Sequence, residues 1–80
     1  MNYEAMAIEI LETVTGTAGL EEDKALDLFE AGLLDSLAAI SIIVQIEEKT
    51  GVVLQPTDFQ REDISSVTAL AKYLEANDIK

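Results

Sequence analysis

The chain has no cysteine, no histidine and no tryptophan, and a single proline in 80 residues. Without cysteine there is neither a disulfide nor a thiolate metal site, so the fold must rest on a packed core, and the chain suits a reducing compartment. Without histidine there is no imidazole to activate a nucleophile near neutral pH. Basic residues are scarce as well: five Lys and Arg stand against 16 Asp and Glu, a net charge of -11. Such a surface repels nucleic-acid phosphates and anionic lipid, which argues against both as partners. It favours basic protein patches and fast electrostatic encounter with them. No uninterrupted apolar run is long enough to cross a membrane. Met1-Asn2-Tyr3-Glu4 lacks the basic start of a signal peptide. A cytoplasmic protein with no membrane insertion is expected.

What remains is apolar and acidic. Nearly half of the residues, 49%, are hydrophobic, too many for a disordered acidic tail. The length allows one domain, residues 1–80, with a modest core. No internal repeat or low-complexity segment interrupts it. The acidity is uneven. Residues 1–48 hold 11 acids and one base, whereas residues 49–80 hold 5 acids and 4 bases.

Tyr3, Ala7, Ile10, Leu11 and Val14 recur at helical spacing, with Glu4, Glu9 and Glu12 mostly off that stripe. This predicts an amphipathic helix over 3–15, ended by Gly16 in a left-handed cap. Residues 16–35 form a long connection containing Leu20, Leu26, Leu28, Phe29, Leu33 and Leu34. That apolar content predicts a loop pinned to the core, with a function or a short extra turn. A second helix is predicted over 36–50, with Asp35 as N-cap and Gly51 as its stop. Val52-Val53-Leu54 reads as extended, and Pro56 interrupts any helix there. Asp58 to Asp63 reads as one or two helical turns. Ser65 or Ser66 then caps a last helix through about Glu75, burying Val67, Leu70, Ala71 and Leu74.

Ser36 is the residue that calls for chemistry. An activated serine needs a base within hydrogen-bond reach. No histidine exists, and the Gly-x-Ser-x-Gly and Ser-x-x-Lys patterns are absent at this position. The chain is therefore not read as an enzyme. Two readings stand for Ser36. It either helps Asp35 start the helix, or it is exposed there to carry an attached group, for which a phosphate would suit the positive helix end. Asp35 is expected to cap the helix. It would also be able to help hold magnesium while Ser36 is modified, since that ion favours a carboxylate plus phosphate oxygens.

The second helix carries two apolar stripes. Ala39, Ile42, Ile43 and Ile46 are assigned to the core, while Leu37, Ile40 and Val44 lead along another face toward Glu47 and Glu48. Two stripes mean burial on both sides or an exposed patch that docks a partner. So small a domain favours docking. Glu21, Glu22, Asp23 and Asp27 lack the alternating ligands and central glycine of a calcium loop, so they are read as solvated acids and no resident metal is expected.

Taken together, Leu28-Phe29-Glu30-Ala31-Gly32-Leu33-Leu34-Asp35-Ser36-Leu37, followed by an apolar helix ending in Ile46-Glu47-Glu48, resembles the acyl and peptidyl carrier proteins. The resemblance covers essentially the whole chain. It implies an all-α fold, a small four-helix bundle with three main helices, one short third helix and a long first loop. It implies that Ser36 holds 4′-phosphopantetheine, transferred from coenzyme A, through a phosphodiester. Asp35 would help coordinate magnesium in the transferase complex. Leu37, Ile40, Val44, Glu47 and Glu48 would form the partner-recognition face.

Within the family, the segment from Leu28 to Ser36 is similar to the D-alanyl carrier proteins of Gram-positive bacteria, and Asp58-Phe59-Gln60-Arg61 is similar to that group's usual Glu-Phe-Asp-Arg. The group often has Met or Phe then Gly after the serine, where this chain has Leu37-Ala38. It often carries Trp and a Thr-Pro-Asn stretch before the last helix, where this chain has Ile64-Ser65-Ser66-Val67. Ser41 departs from fatty-acid carriers, which commonly have an acid there. The resemblance implies a free-standing carrier that delivers D-alanine, as a thioester, for the D-alanylation of lipoteichoic acid, and nothing in the sequence demands more than a monomer. A fatty-acid or polyketide carrier and a peptidyl carrier are the alternatives within the family, and an unmodified helical interaction module is the alternative outside it. The implied partners are a phosphopantetheinyl transferase, an ATP-dependent ligase or adenylation enzyme that charges the arm, and a downstream acceptor enzyme.

Overall fold

The computed structural model describes residues 3–55 and 60–77. Within them the chain forms three α-helices, α1 (Tyr3–Thr15), α2 (Ser36–Thr50) and α3 (Val67–Ala76), with 3-10 turns at Leu20–Glu22 and Arg61–Ile64. The described residues contain no strand. The helical fold expected from the sequence is therefore present, and among the described residues its short third helix is the Arg61–Ile64 turn. Pro56, Asp58 and Phe59 lie outside the described residues.

The helix ends follow from local chemistry. Gly51, with φ 78°, takes the left-handed conformation that ends α2, and its N–H bonds the Glu47 carbonyl at 2.8 Å. A side chain with a Cβ adopts that conformation at a cost, which is why glycine stands there. Ser66, rather than Ser65, caps α3: its Oγ accepts the Ala69 N–H at 3.1 Å. The Arg61–Ile64 turn is held by a capping box, in which the Asp63 carboxylate accepts the Gln60 N–H at 2.8 Å.

One core joins the three helices. Ala7, Ile10 and Leu11 of α1 meet Ile42 and Ile46 of α2, Val67, Leu70 and Leu74 of α3, and Ile64 of the short turn. Ala71, expected in this core, is only partly buried at its edge. Lys49 of α2 reaches Glu9 of α1 in an ion pair on the surface.

The connection between α1 and α2 is pinned, as its apolar content predicts. Leu20, Leu28 and Leu34 are buried with the helices. Its backbone is tied down as well. The Lys24 carbonyl accepts the Thr68 N–H at 3.0 Å, and the Leu28 N–H donates to the Ser65 carbonyl at 2.7 Å. Thr68 sits in the first turn of α3, where N–H groups have no partner within the helix. The loop thus supplies an acceptor that α3 lacks, and α3 holds the loop in return.

Candidate functional site

The approach to Ser36 is a sequence of local caps. Asp27 Oδ1 accepts the N–H groups of Phe29 at 3.0 Å and Glu30 at 3.1 Å. Asp27 is thereby a structural acid, unlike the solvated one expected. Gly32, at φ 77°, turns the chain back. The N–H groups of Leu33 and Leu34 then both donate to the Leu28 carbonyl, at 2.9 and 3.2 Å. Leu34 is buried as an anchor, and the next residue is Asp35.

Asp35 is the N-cap of α2. Its backbone is extended, with φ -143° and ψ -173°, and its Oδ1 accepts the Ala38 N–H at 2.9 Å. The capping role expected of Asp35 is therefore present. Ser36 follows as the first residue of α2 and is exposed. Its position at the positive end of a 15-residue helix favours an anion on its hydroxyl.

Beside Ser36 lies an open cleft of about 460 Å³, bounded by α2, by the preceding loop and by the Arg61–Ile64 turn. Leu34, Ala39, Ile40, Ile43 and Ile64 supply apolar wall, and Asp35, Ser36, Gln60 and Arg61 supply polar atoms. The Arg61 guanidinium lies over the Phe29 ring, 4.2 Å from its centroid, and both residues line the cleft. Ile43, assigned to the core from its spacing, is half-buried here, as is Ala39. Sequence reasoning gave Arg61 and Phe29 no role. Arg61 was visible in the sequence as the end of Asp58-Phe59-Gln60-Arg61, but only the folded chain brings it beside Phe29 and Ser36.

The second stripe of α2 faces outward. Leu37 is 79% exposed, Ile40 49% and Val44 44%. Glu47 and Glu48 are exposed beyond them, and the Glu48 carboxylate accepts a long 3.5 Å bond from Gln45. Burial on both sides of α2 is excluded by these values. Among the described residues there is no cluster of three or more acids placed to hold a metal ion. No helix among them is long and apolar enough to cross a membrane.

The residues around Ser36 fit a phosphorylated, flexible substituent. The hydroxyl is exposed, the helix end and Arg61 are positive, and the adjacent cleft offers apolar wall to an aliphatic chain. The family model described as a phosphopantetheine attachment site matches residues 7–74. Curated relatives agree in kind. The chain is 43% identical over 63 residues to the D-alanyl carrier protein of Lactococcus lactis subsp. lactis, covering 79% of this chain and 80% of that protein. It is 37% identical over 76 residues to the D-alanyl carrier protein of Enterococcus faecalis, covering 95% and 97%. To the protein of the same name in Listeria welshimeri it is 32% identical, again over 95% and 97%.

Proposed function

The chain belongs to the phosphopantetheine-attachment family of carrier proteins, and on that premise we propose that Ser36 bears the arm and that the cargo is D-alanine. As a family member it is a carrier with covalently attached 4′-phosphopantetheine, and it is not itself a catalyst. The arm, once attached, supplies a thiol on which an acyl or aminoacyl group is held as a thioester.

The observation that carries the assignment to Ser36 is its exposure at the first position of α2, capped by Asp35 and opening onto the cleft. In the attachment step the Ser36 Oγ forms a bond to the pantetheine-bearing phosphorus of coenzyme A. The pyrophosphate P–O bond breaks, the adenosine bisphosphate leaves, and the hydroxyl proton passes to a base of the transferase. The protein has no imidazole of its own to take that proton. Asp35 would contribute a carboxylate oxygen to magnesium in that complex, since its other oxygen is engaged by the Ala38 N–H.

The relatives are D-alanyl carrier proteins, which supports D-alanine as the cargo; in this reading its destination is the D-alanylation of lipoteichoic acid. The exposed apolar residues Leu37, Ile40 and Val44, rimmed by Glu47 and Glu48, support docking to a transferase, a ligase and an acceptor enzyme in turn. Apolar contact at the centre and charge at the rim give a small interface that forms and releases quickly. Work with an ATP-dependent ligase places the protein in the cytoplasm in this reading.

Intact mass tests both parts. The apo protein incubated with coenzyme A, magnesium and a broad-specificity transferase is expected to gain one phosphopantetheinyl group, and Ser36→Ala to gain none. The holo protein, given ATP and a D-alanine ligase, is expected to gain one alanyl group. An equal first gain in Ser36→Ala would move the arm elsewhere. Loading of another amino or fatty acid by its own ligase, with D-alanine refused, would overturn the cargo.

A further inference from the structure

Arg61 is the one basic residue among the described residues lining the Ser36 cleft. Two other cations in the described residues are paired, Lys24 with Glu4 and Lys49 with Glu9. Arg61 has no carboxylate partner among the described residues, although Glu62 and Asp63 follow it in the chain. Its guanidinium instead lies on the Phe29 ring at 4.2 Å. Stacking occupies the face of the group and leaves its in-plane N–H donors free, the geometry in which arginine binds phosphate oxygens.

The charges around Ser36 make such a donor useful. A phosphodiester on Ser36 adds an anion next to the Asp35 carboxylate, in a region whose residues 1–48 carry 11 acids and one base. The amide end of α2 offsets part of that repulsion. Arg61, the basic side chain described at the cleft, is able to offset more, and it belongs to a different element from Ser36. An ion pair there would tie the arm's root to the Arg61–Ile64 turn. It would also make the cleft unattractive to the ammonium of an aminoacyl cargo, which bears the same sign as the guanidinium.

We infer that Arg61, held flat by Phe29, binds the phosphodiester of the arm on Ser36 and so positions the root of that arm along the cleft. This rests on the reading that Ser36 carries the arm. Arg61 is on this account a positioning residue. It touches no reacting bond.

A thermal cycle isolates the contact. Melting temperatures are measured for apo and holo forms of the wild type, Arg61→Gln and Arg61→Lys, with attachment at Ser36 verified by mass. Loss of the stack on Phe29 affects apo and holo alike and cancels in the difference. The holo-minus-apo gap is expected to fall by about 2–5 °C in Arg61→Gln, the range a partly exposed ion pair gives in a domain of this size. Arg61→Lys is expected to keep part of it, and added salt to shrink the gap only where the cation is present. The ³¹P resonance of the holo protein is expected to move toward that of free phosphopantetheine in Arg61→Gln. An unchanged gap together with an unmoved ³¹P resonance, with the arm verified on Ser36, would overturn the inference and leave the Ser36 reading intact. An arm found on another residue would overturn both.

Discussion

The two faces of α2 are built from the same kinds of residue and meet opposite fates. Ile42 and Ile46 are shielded, at 0% and 1% exposure, while Leu37, Ile40 and Val44 stand open at 79%, 49% and 44%. The inward face meets α1 and the rest of the core. The outward face is left largely open to solvent in the described protein, with Ile40 edging the cleft. Apolar surface left in water contributes nothing to folding, and it risks association with other chains. Its retention beside Ser36 makes sense if partners cover it in turn. One face of the helix therefore answers to stability and the other to binding, and substitutions on the two should separate cleanly.

The largest effect is expected on the inward face. Ile46→Ala removes a fully buried side chain from the meeting point of the helices. The cost is expected at about 2–5 kcal/mol, a large part of the stability of so small a domain. Urea unfolding followed by circular dichroism measures it. A loss under about 1 kcal/mol would mean that the core closes around the gap and that the inward face is not what holds α2 in place. Val44→Glu makes the opposite change on the outward face. Stability is expected to stay within about 0.5 kcal/mol, as for surface positions generally. Charging of the holo protein by its ligase is expected to drop about tenfold in kcat/KM, the size of a moderate interface contact. Unchanged charging would place the ligase interface elsewhere. A drop in stability as large as that of Ile46→Ala would erase the distinction between the faces.

How much of this was legible in the sequence depends on whether the deciding chemistry is local. The end of α1 and both bounds of α2 follow from Gly16, Asp35 and Gly51, each of which acts on residues within one turn. The start of α3 follows likewise from Ser66, although Ser65 is as good a cap in composition. The choice between them was made by the Leu28 N–H, which takes the Ser65 carbonyl from across the fold. The two stripes of α2 were visible as periodicity, but periodicity does not say which stripe finds a neighbour. Domain size suggested one exposed face, and the packing of α1 and α3 decided it. Asp27 was misread because its two acceptor contacts depend on a turn that no repeat or motif announced. Arg61 and Phe29 stood 32 residues apart in sequence, and neither position carried a signal of the other. The site was therefore half legible: Ser36 and its cap came from local pattern, and the cleft beside them came from tertiary structure.

Asp35 sits where the two faces begin, and it joins a folding role to a chemical one. Its carboxylate caps α2 through the Ala38 N–H at 2.9 Å. Loss of such a cap in Asp35→Ala is expected to cost about 1 kcal/mol. Asparagine is as good an N-cap as aspartate, so Asp35→Asn should stay within a few tenths of a kcal/mol of the wild type, apart from the lost charge at the helix end. The amide bears no negative charge, and it is a far poorer ligand for magnesium than a carboxylate. If Asp35 serves the modification as well as the helix, Asp35→Asn will fold like the wild type and still accept phosphopantetheine slowly. The rate of mass gain at saturating magnesium, set against the unfolding midpoint of the same variant, reads the two roles separately. Full-rate modification of a normally folded Asp35→Asn would reduce Asp35 to a cap. The start of α2 would then belong wholly to the fold, with Ser36 alone on the side of function.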